Sequence, residues 1–292
     1  MKRPAHPHKP FRKPAPAPGA PGKPTHWDNV SDWYDRLVGD EGSEYHQQVV
    51  LPGVLRMLQR NETRKDEVPL RILDLACGQG VLCRQLAQRG HSVVGVDAST
   101  GLIEAAKKRE AQERLGITYH MADATKLHEP AQNSEFRVQN SEFDVVTIVL
   151  AIQNITPLSP VWQGCRELLK PGGVLILVMM HPCFRVPKAA DWHWDDATRT
   201  QSRLVKQYLT SAKVEIDLHP GQAAAGKATE KTLTFHRPLQ AYVNTLGNAG
   251  LLIDHIEEWP SHKTSQEGPR KKEIDRARKE IPMFLAVRAK RV

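Results

Sequence analysis

The sequence predicts an α/β protein with a doubly wound, mostly parallel sheet of seven strands and helices on both faces. From residue 71 onward, short runs rich in β-branched residues alternate with amphipathic stretches, which is the pattern of such a sheet. One run, 143–151, is almost entirely apolar, as expected of a central strand that is buried on both faces.

The first half of this pattern supplies three strands and two helices. The helices end at Gly90 and Gly116, because glycine accepts the left-handed conformation that closes a helix. Ser99 or Thr100 begins the second helix as its N-cap. In chain order the predicted elements are strand 71–77, helix 81–89, strand 91–98, helix 101–115 and strand 117–122.

The second half supplies four further strands. The turn Pro171-Gly172-Gly173 stops a helix and leads into the fifth strand, since proline and glycine interrupt regular structure. In chain order the predicted elements are strand 143–151, helix 160–169, strand 174–180, helix 238–247, strand 251–259 and strand 282–290.

The connection 184–237 is longer than an ordinary loop, and its length predicts a lid over a substrate. Two β-rich segments, 213–218 and 231–236, flank Pro220-Gly221. This arrangement predicts a hairpin within the lid.

Two segments lie outside the pattern. Residues 1–26 are rich in Pro and Ala with few large apolar side chains, so we expect a disordered tail. Residues 132–143, QNSEFRVQNSEF, repeat a seven-residue unit that is too short for a solenoid and predicts a surface insertion. The expected organisation is the tail followed by one domain, 27–292, that contains the lid.

Composition narrows the classes of function. Of the net charge of +8, six positive charges lie in the tail, which leaves +2 for the remainder. The four cysteines contain no C-x-x-C pair, so neither a disulfide framework nor a zinc site is indicated. No apolar run reaches the roughly 18 residues that span a bilayer. These features predict a cytoplasmic protein without a membrane span, and they disfavour nucleic acid as the partner.

Aspartates end the first three strands of the predicted sheet. Asp74, Asp97 and Asp123 stand at these positions, and Gly78 and Gly80 follow the first of them. In a doubly wound sheet, ligands bind beyond the carboxyl ends of the strands. Strand-end aspartates also cap turns, but three on adjacent strands predict a single ligand crevice.

The set of motifs resembles the class I S-adenosylmethionine-dependent methyltransferases. It comprises Asp-x-x-x-Gly-x-Gly from Asp74, the two later aspartates and the Lys-Pro-Gly-Gly turn at 170–173. More closely, the chain is similar to the small-molecule branch related to ubiquinone and menaquinone biosynthesis methyltransferases. The resemblance implies a Rossmann-like sheet of order 3-2-1-4-5-7-6 with the seventh strand antiparallel, and S-adenosylmethionine as cofactor.

The resemblance also implies the cofactor site. The first glycine loop would hold the methionine part of the cofactor, the acid after the second strand its ribose, and the residues after the third strand its adenine. The implied residues are Asp74, Ala76, Gly78, Gly80, Asp97, Ala98, Asp123, Ala124, Leu150, Ala151 and Gln153.

The acceptor is predicted from residues outside those motifs. His181, at the end of the fifth strand, is the candidate general base, although it could equally be a hydrogen-bonded structural histidine. Aromatic walls favour a flat or partly apolar small molecule, which we expect to be aromatic or isoprenoid-like. The candidate acceptor-binding residues are Tyr34, Phe184, Trp192, Trp194 and His236.

Three alternatives stay open at this point. A dinucleotide dehydrogenase needs a third glycine where Cys83 stands. An RNA methyltransferase could use the basic tail as a tether, although Ala151-Ile152-Gln153-Asn154 lacks the Asn/Asp-Pro-Pro-aromatic loop of base amino-methyltransferases. A nucleotide-binding module without turnover would carry the same cofactor loop.

Overall fold

A computed structural model describes Trp27 and residues 31–59, 68–127, 143–217 and 231–292. The predicted tail, nearly all of the 132–143 insertion and the turn at Pro220-Gly221 lie outside the described residues.

Seven strands form the central sheet in the order β3-β2-β1-β4-β5-β11-β10. Neighbouring strands are parallel from β3 to β5, whereas β11 is antiparallel to both β5 and β10. This arrangement confirms the predicted order 3-2-1-4-5-7-6. The strands are β1 Arg71–Leu75, β2 Ser92–Asp97, β3 Thr118–Met121, β4 Phe143–Val149, β5 Leu169–Met180, β10 Leu251–Trp259 and β11 Phe284–Arg291.

Helices cover both faces of the sheet. The Ser99 hydroxyl caps α4 by accepting a hydrogen bond from the N–H of Leu102 at 3.4 Å, as the sequence indicated. No helix in the described part of the chain is long and apolar enough to cross a bilayer. The helices are α1 Ser31–Val38, α2 Leu51–Gln59, α3 Val81–Ala87, α4 Thr100–Glu113, α5 Leu158–Leu168, α6 Leu239–Asn248 and α7 Lys271–Glu280, with a π turn His46–Val50 and a 3-10 turn Ile152–Asn154.

The core consists of two apolar layers, one on each face of the sheet. Along β4, Val145 packs into the first layer, and Val146 and Ile148 pack into the second. Successive side chains of a strand point to opposite faces, so a central strand must be apolar throughout. Burial on both faces of the sheet explains the apolar run at 143–151.

The fifth strand begins earlier than predicted. Leu169 pairs with Phe143, and the regular register resumes only where Val174 pairs with Val145. The irregular segment contains Gly172, whose φ of 76° is left-handed. The turn at 170–173 is therefore a bulge inside β5 rather than a loop before it.

Two antiparallel hairpins occupy the long connection. One pairs β8, Ala212–Asp217, with β9, Lys231–His236, close to the predicted bounds. The other pairs β6, Ala190–Asp195, with β7, Thr200–Val205, and the sequence did not indicate it.

The turn of the unpredicted hairpin contains neither glycine nor proline. The Asp195 carboxylate accepts the N–H of Ala197 at 2.9 Å and that of Thr198 at 3.3 Å, and Arg199 takes the left-handed conformation with φ 52°. A side chain thus closes a turn that glycine usually marks.

Candidate active site

A cavity of about 690 Å³ lies beyond the carboxyl ends of the parallel strands. Residues that follow β1, β2, β3, β4 and β5 line one side, and the hairpin β8–β9 lines the other. Its position is the one that doubly wound sheets use for ligands, and its volume is typical of a small-molecule site.

The structure brings most of the predicted cofactor residues to this cavity. Nine of them line it, namely Ala76, Gly78, Asp97, Ala98, Asp123, Ala124, Leu150, Ala151 and Gln153. Ala76 and Leu150 follow the central strands β1 and β4 in the left-handed conformation, with φ of 59° and 55°. Such strain in residues other than glycine is concentrated at functional sites.

Asp97 shapes the glycine loop from the end of β2. Its Oδ2 accepts the N–H of Gly78 at 2.9 Å, and its Oδ1 accepts the N–H of Ser99 at 2.8 Å. Asp97 lines the cavity, where a carboxylate can accept a hydrogen bond from a ligand hydroxyl. Asp97 therefore positions the loop and can also contact a ligand.

Asp123 combines turn formation with a place in the cavity wall. Its Oδ1 accepts hydrogen bonds from the Thr125 N–H and the Thr125 hydroxyl, both at 2.8 Å. Because this aspartate is exposed and lines the cavity, turn capping and ligand contact are compatible there.

Asp74 lies behind the cavity wall rather than in it. The Thr147 hydroxyl donates to its Oδ1 at 2.7 Å, and the Cys83 thiol donates to its Oδ2 at 3.3 Å. Burial raises the pKa of the Asp74 carboxyl to about 6. Asp74 thus ties β1 to β4 and α3, and Cys83 fills the position where a dinucleotide fingerprint would need its third glycine.

Gly80 is also absent from the cavity lining. A Cβ on this residue would stand 2.3 Å from the Tyr119 hydroxyl oxygen, and its φ is 82°. Packing against Tyr119 therefore requires glycine at position 80, while Gly78, which does line the cavity, supplies the approach to a ligand.

The N-terminal segment covers the glycine loop. Tyr34 lies 3.5 Å from the Cβ position of Gly78, and the Trp27 ring meets the Tyr34 ring edge-on at 5.3 Å. Burial, together with the nearby Asp97 and Asp74 carboxylates, raises the pKa of Tyr34 to about 12. Tyr34, which was predicted as an acceptor-binding residue, therefore lies at the cofactor loop.

His46 is a lining residue that the sequence analysis missed. Its Nδ1 lies 2.8 Å from the Ser43 hydroxyl, and burial lowers its pKa. No motif surrounds it, so only the packing of the N-terminal segment identifies it as part of the site.

His181 does not line the cavity. Its Nε2 lies 2.7 Å from Oε1 of Glu258, and its Nδ1 accepts the N–H of Cys183 at 3.2 Å. Both ring nitrogens are engaged, and the residue is 2% exposed. This position links β5 to β10, as expected of a structural histidine. A general-base role for His181 remains untested, and its position does not support one.

Three predicted acceptor-binding aromatics also lie away from the cavity lining. The Phe184 ring packs on His181 at 4.8 Å. The Trp194 indole N–H donates to Asp196 at 2.8 Å, and Trp192 packs against arginine side chains. The hairpin β6–β7 contacts α7 instead, through the N–H of Gln201, which donates to Glu273 at 3.3 Å.

His236 does reach the cavity, at the end of β9. Its Nε2 lies 2.7 Å from the backbone carbonyl oxygen of Tyr208. Because a carbonyl oxygen only accepts hydrogen bonds, Nε2 carries the proton, and the neutral ring then has its lone pair on Nδ1. A neutral His236 ring therefore has on Nδ1 the lone pair that a proton acceptor needs.

Several lining side chains have a shielded polar atom without a hydrogen-bond partner among the described residues. These atoms are Oε1 of Gln153, Oγ1 of Thr232, Nε of Arg185 and Nη1 of Arg237. All four atoms belong to residues that line the cavity, so its wall contains polar as well as apolar side chains. The sequence analysis did not identify Arg185 or Thr232, because neither lies in a cofactor motif.

The cavity fits an adenosyl cofactor. Asp97 and Asp123 offer acceptors to hydroxyl and amine groups, Gly78 permits close backbone approach, and Leu102 adds an apolar surface. Gln153 lines the same cavity.

Comparisons with known proteins agree with this geometry. Residues 72–173 match a family described as a methyltransferase domain. A ubiquinone biosynthesis O-methyltransferase from Chelativorans sp. (strain BNC1) is 29% identical over 171 residues, 58% of this chain and 64% of that protein. One from Haemophilus ducreyi is 36% identical over 109 residues, 37% of this chain and 44% of that protein. The chain thus spans less than two thirds of the length of these curated relatives.

A solved structure extends the similarity to most of the fold. An S-adenosylmethionine-dependent methyltransferase from Mesorhizobium loti is 28% identical with a TM-score of 0.57, and the match covers 82% of this chain and 100% of that one. The similarity therefore reaches well beyond residues 72–173.

Proposed function

We propose that this chain, which carries a class I methyltransferase domain, transfers a methyl group from S-adenosylmethionine to a small-molecule acceptor. The observation that supports this most is a cavity in which the strand-end carboxylates of Asp97 and Asp123 lie together with the glycine loop at Gly78. S-adenosylmethionine would supply an electrophilic methyl carbon on a sulfonium centre.

The cofactor would be held by residues at the ends of β1 to β4. We assign the methionine part to the loop at Ala76 and Gly78, the ribose to Asp97, and the adenine to Asp123 and Ala124. Leu150, Ala151 and Gln153 would form the wall beside the sulfonium. Asp74 and Gly80 would act through the shape of the loop, since neither reaches the cavity.

The acceptor would lie against the hairpin β8–β9 and the loop after β5. Met180, Pro182, Ile216 and Phe235 give this part of the wall an apolar character, which suits the ring of an aromatic acceptor. The relatives named as ubiquinone biosynthesis O-methyltransferases favour a hydroxyl oxygen as the methylated atom.

A hydroxyl acceptor loses a proton when it is methylated, and we assign its removal to His236. The ring lines the cavity and has its lone pair on Nδ1, whereas both nitrogens of His181 are engaged outside the cavity. The main role of this chain would otherwise be to align the reactants and exclude water.

Isothermal calorimetry with S-adenosylhomocysteine tests the cofactor assignment. We expect S-adenosylhomocysteine to bind and NAD to show no heat of binding. Binding of NAD in place of S-adenosylhomocysteine would contradict the proposal and support a dehydrogenase. Radiolabelled S-adenosylmethionine, incubated with the protein and a fractionated cell extract, would then identify the fraction that contains the acceptor.

A pair of histidine variants tests the proton acceptor. His236→Gln should lower kcat on the acceptor by about 10² to 10⁴, the usual contribution of a general base, and leave S-adenosylhomocysteine affinity unchanged. His181→Gln is the matched control and should lower the unfolding temperature without a comparable loss of kcat. If only His181→Gln abolished turnover, the assignment of the base would be reversed.

A further inference from the structure

The acceptor end of the cavity carries arginines and no described carboxylate. Arg185, in the loop after β5, and Arg237, directly after β9, line it. The aspartates of the described lining, Asp97 and Asp123, lie at the cofactor end. Charge is therefore divided along the cavity, with carboxylates at one end and guanidinium groups at the other.

Among the described residues, little negative charge lies near the Arg185 guanidinium. Its guanidinium lies 5.6 Å from the centre of the Trp192 ring, and Arg203 lies 5.2 Å from the same ring. Its Nε is shielded from solvent without a hydrogen-bond partner among the described residues. Burial and the positive charge of Arg203 lower the pKa of Arg185 to about 10.

Arg203 differs from Arg185 although both pack on Trp192. Its Nε donates to the carbonyl oxygen of Phe184 at 2.9 Å, and its Nη2 donates to that of Ala190 at 3.3 Å. It does not line the cavity. These two hydrogen bonds give Arg203 a structural role within the loop. No such bond of Arg185 is described.

Arg237 is held in place with one donor left over. Its Nη2 donates to the carbonyl oxygen of Ile155 at 2.8 Å, and its guanidinium lies 5.2 Å from the centre of the Phe235 ring. Its Nη1 is shielded from solvent and has no partner among the described residues. The guanidinium of Arg237 also lines the cavity, so its positive charge is available to an anionic ligand.

We propose that the methyl acceptor bears an anionic group, a carboxylate or a phosphate, which Arg185 and Arg237 bind. A planar guanidinium matches both kinds of group through paired N–H donors. The inference rests on the proposed function and narrows its acceptor to an acidic small molecule. An acceptor with only an isoprenoid chain would leave the positive charges of both arginines without an anion to neutralise them.

Binding of matched fragments to the full chain, saturated with S-adenosylhomocysteine, tests the inference. The probes are benzoate against benzamide and phenyl phosphate against benzyl alcohol, titrated by ligand-observed NMR. At least one anion should bind about tenfold more tightly than its neutral partner, in line with hydrogen bonds to charged groups. Preference for the carboxylate or for the phosphate identifies which anionic group the site takes.

Four variants locate the effect. Arg185→Met and Arg237→Met should each reduce the preference for the anion about tenfold. Arg276→Met, on the exposed face of α7, removes the same charge elsewhere and should leave the preference unchanged. Arg185→Lys should retain part of it, because the charge remains while the paired donors are lost.

Two outcomes separate this inference from the proposed function. If S-adenosylhomocysteine binds but neither anion is preferred, or if Arg276→Met reduces the preference equally, the anionic acceptor is overturned and the cofactor assignment stands. If S-adenosylhomocysteine does not bind to the wild-type chain, the proposed function itself fails.

Discussion

The two ends of the cavity are built in different ways. The cofactor end consists mainly of backbone and short side chains that follow β1 to β4, such as Gly78, Ala98 and Ala124. The acceptor end consists of long side chains from the loop after β5 and from the hairpin β8–β9, such as Arg185 and Arg237. Backbone and short side chains suit the close approach of a cofactor, whereas long side chains can match an individual acceptor in charge and reach.

The two ends also differ in how their polar groups are satisfied. At the proposed cofactor end Asp97 and Asp123 accept backbone N–H groups, so the backbone holds these carboxylates in place. At the proposed acceptor end Arg185 and Arg237 retain shielded nitrogens without described partners. The carboxylates of the first end are therefore preorganised, whereas the proposed anionic acceptor would neutralise the guanidinium groups of the second.

Gly80→Ala should have the largest effect of the variants that test whether the cofactor end is built mainly from backbone. Its Cβ would overlap Tyr119, and its φ of 82° is left-handed. We expect a loss of about 4 kcal/mol in the free energy of unfolding, of which about 1 to 2 kcal/mol comes from the backbone and the rest from overpacking. Urea denaturation measures it.

Gly116→Ala is the matched control for that variant. Gly116 has a similar φ of 79°, but no atom lies within 4 Å of its Cβ position. It should lose only the backbone contribution of about 1 to 2 kcal/mol. Equal losses at the two positions would show that Tyr119 yields easily and that the loop is not tightly packed.

Asp74→Asn tests the buried support behind the cofactor end. The pKa of Asp74 is raised by burial to about 6 from 3.8, so the folded chain binds a proton over a pH range in which the unfolded chain has lost it. Stability therefore falls as pH rises from about 4 to about 6, by about 3 kcal/mol for a shift of this size.

The variant should lack this pH dependence. Urea denaturation of the wild type and the variant between pH 4 and pH 7 gives the difference in their free energies of unfolding. Groups that titrate in the same way in both proteins do not contribute to this difference. A difference that stays constant with pH would mean that Asp74 titrates normally and is not shielded by β4 and α3.

Asp97→Asn should have the smallest of these effects, and it sharpens the comparison within the cofactor end. Loss of the Asp97 charge should weaken S-adenosylhomocysteine binding by about 2 kcal/mol, the cost of hydrogen bonds to a charged group. Asp123→Asn, at an exposed position, should cost less than about 1 kcal/mol. Calorimetry measures the loss of binding free energy in each variant. A larger loss for Asp123→Asn than for Asp97→Asn would show that the carboxylate after β3 contributes more to cofactor binding than the one after β2.

The sequence predicted the strands and the glycine loop because both depend on local patterns, and the resemblance that these patterns carry implied the strand order. Apolar runs, glycines and a strand-end aspartate occur within a few residues of one another, as from Ile72 to Gly80. The parallel arrangement then brings the ends of β1, β2 and β3 together. Asp74 and Gly80 belong to the same pattern, but their side-chain or Cβ positions point toward packed neighbours rather than the cavity.

The acceptor end could not be predicted in the same way. Phe184, Trp192 and Trp194 suggested an aromatic wall, yet the hairpin β6–β7 directs two of them toward arginines and α7. His181 and His236 are both next to strand ends, and only hydrogen bonding distinguishes the structural histidine from the one in the cavity.

The sequence alone determined a doubly wound sheet and the loops at its ligand edge, because strand and turn preferences act over short stretches of chain, and its motifs carried the family resemblance that implied the strand order. The tertiary structure alone decided which side chains meet across the cavity. Arg185 and Arg237 are about fifty residues apart, and they line one wall only because a hairpin folds back over the sheet. Side-chain direction in such a connection depends on packing between distant segments, which no local pattern records.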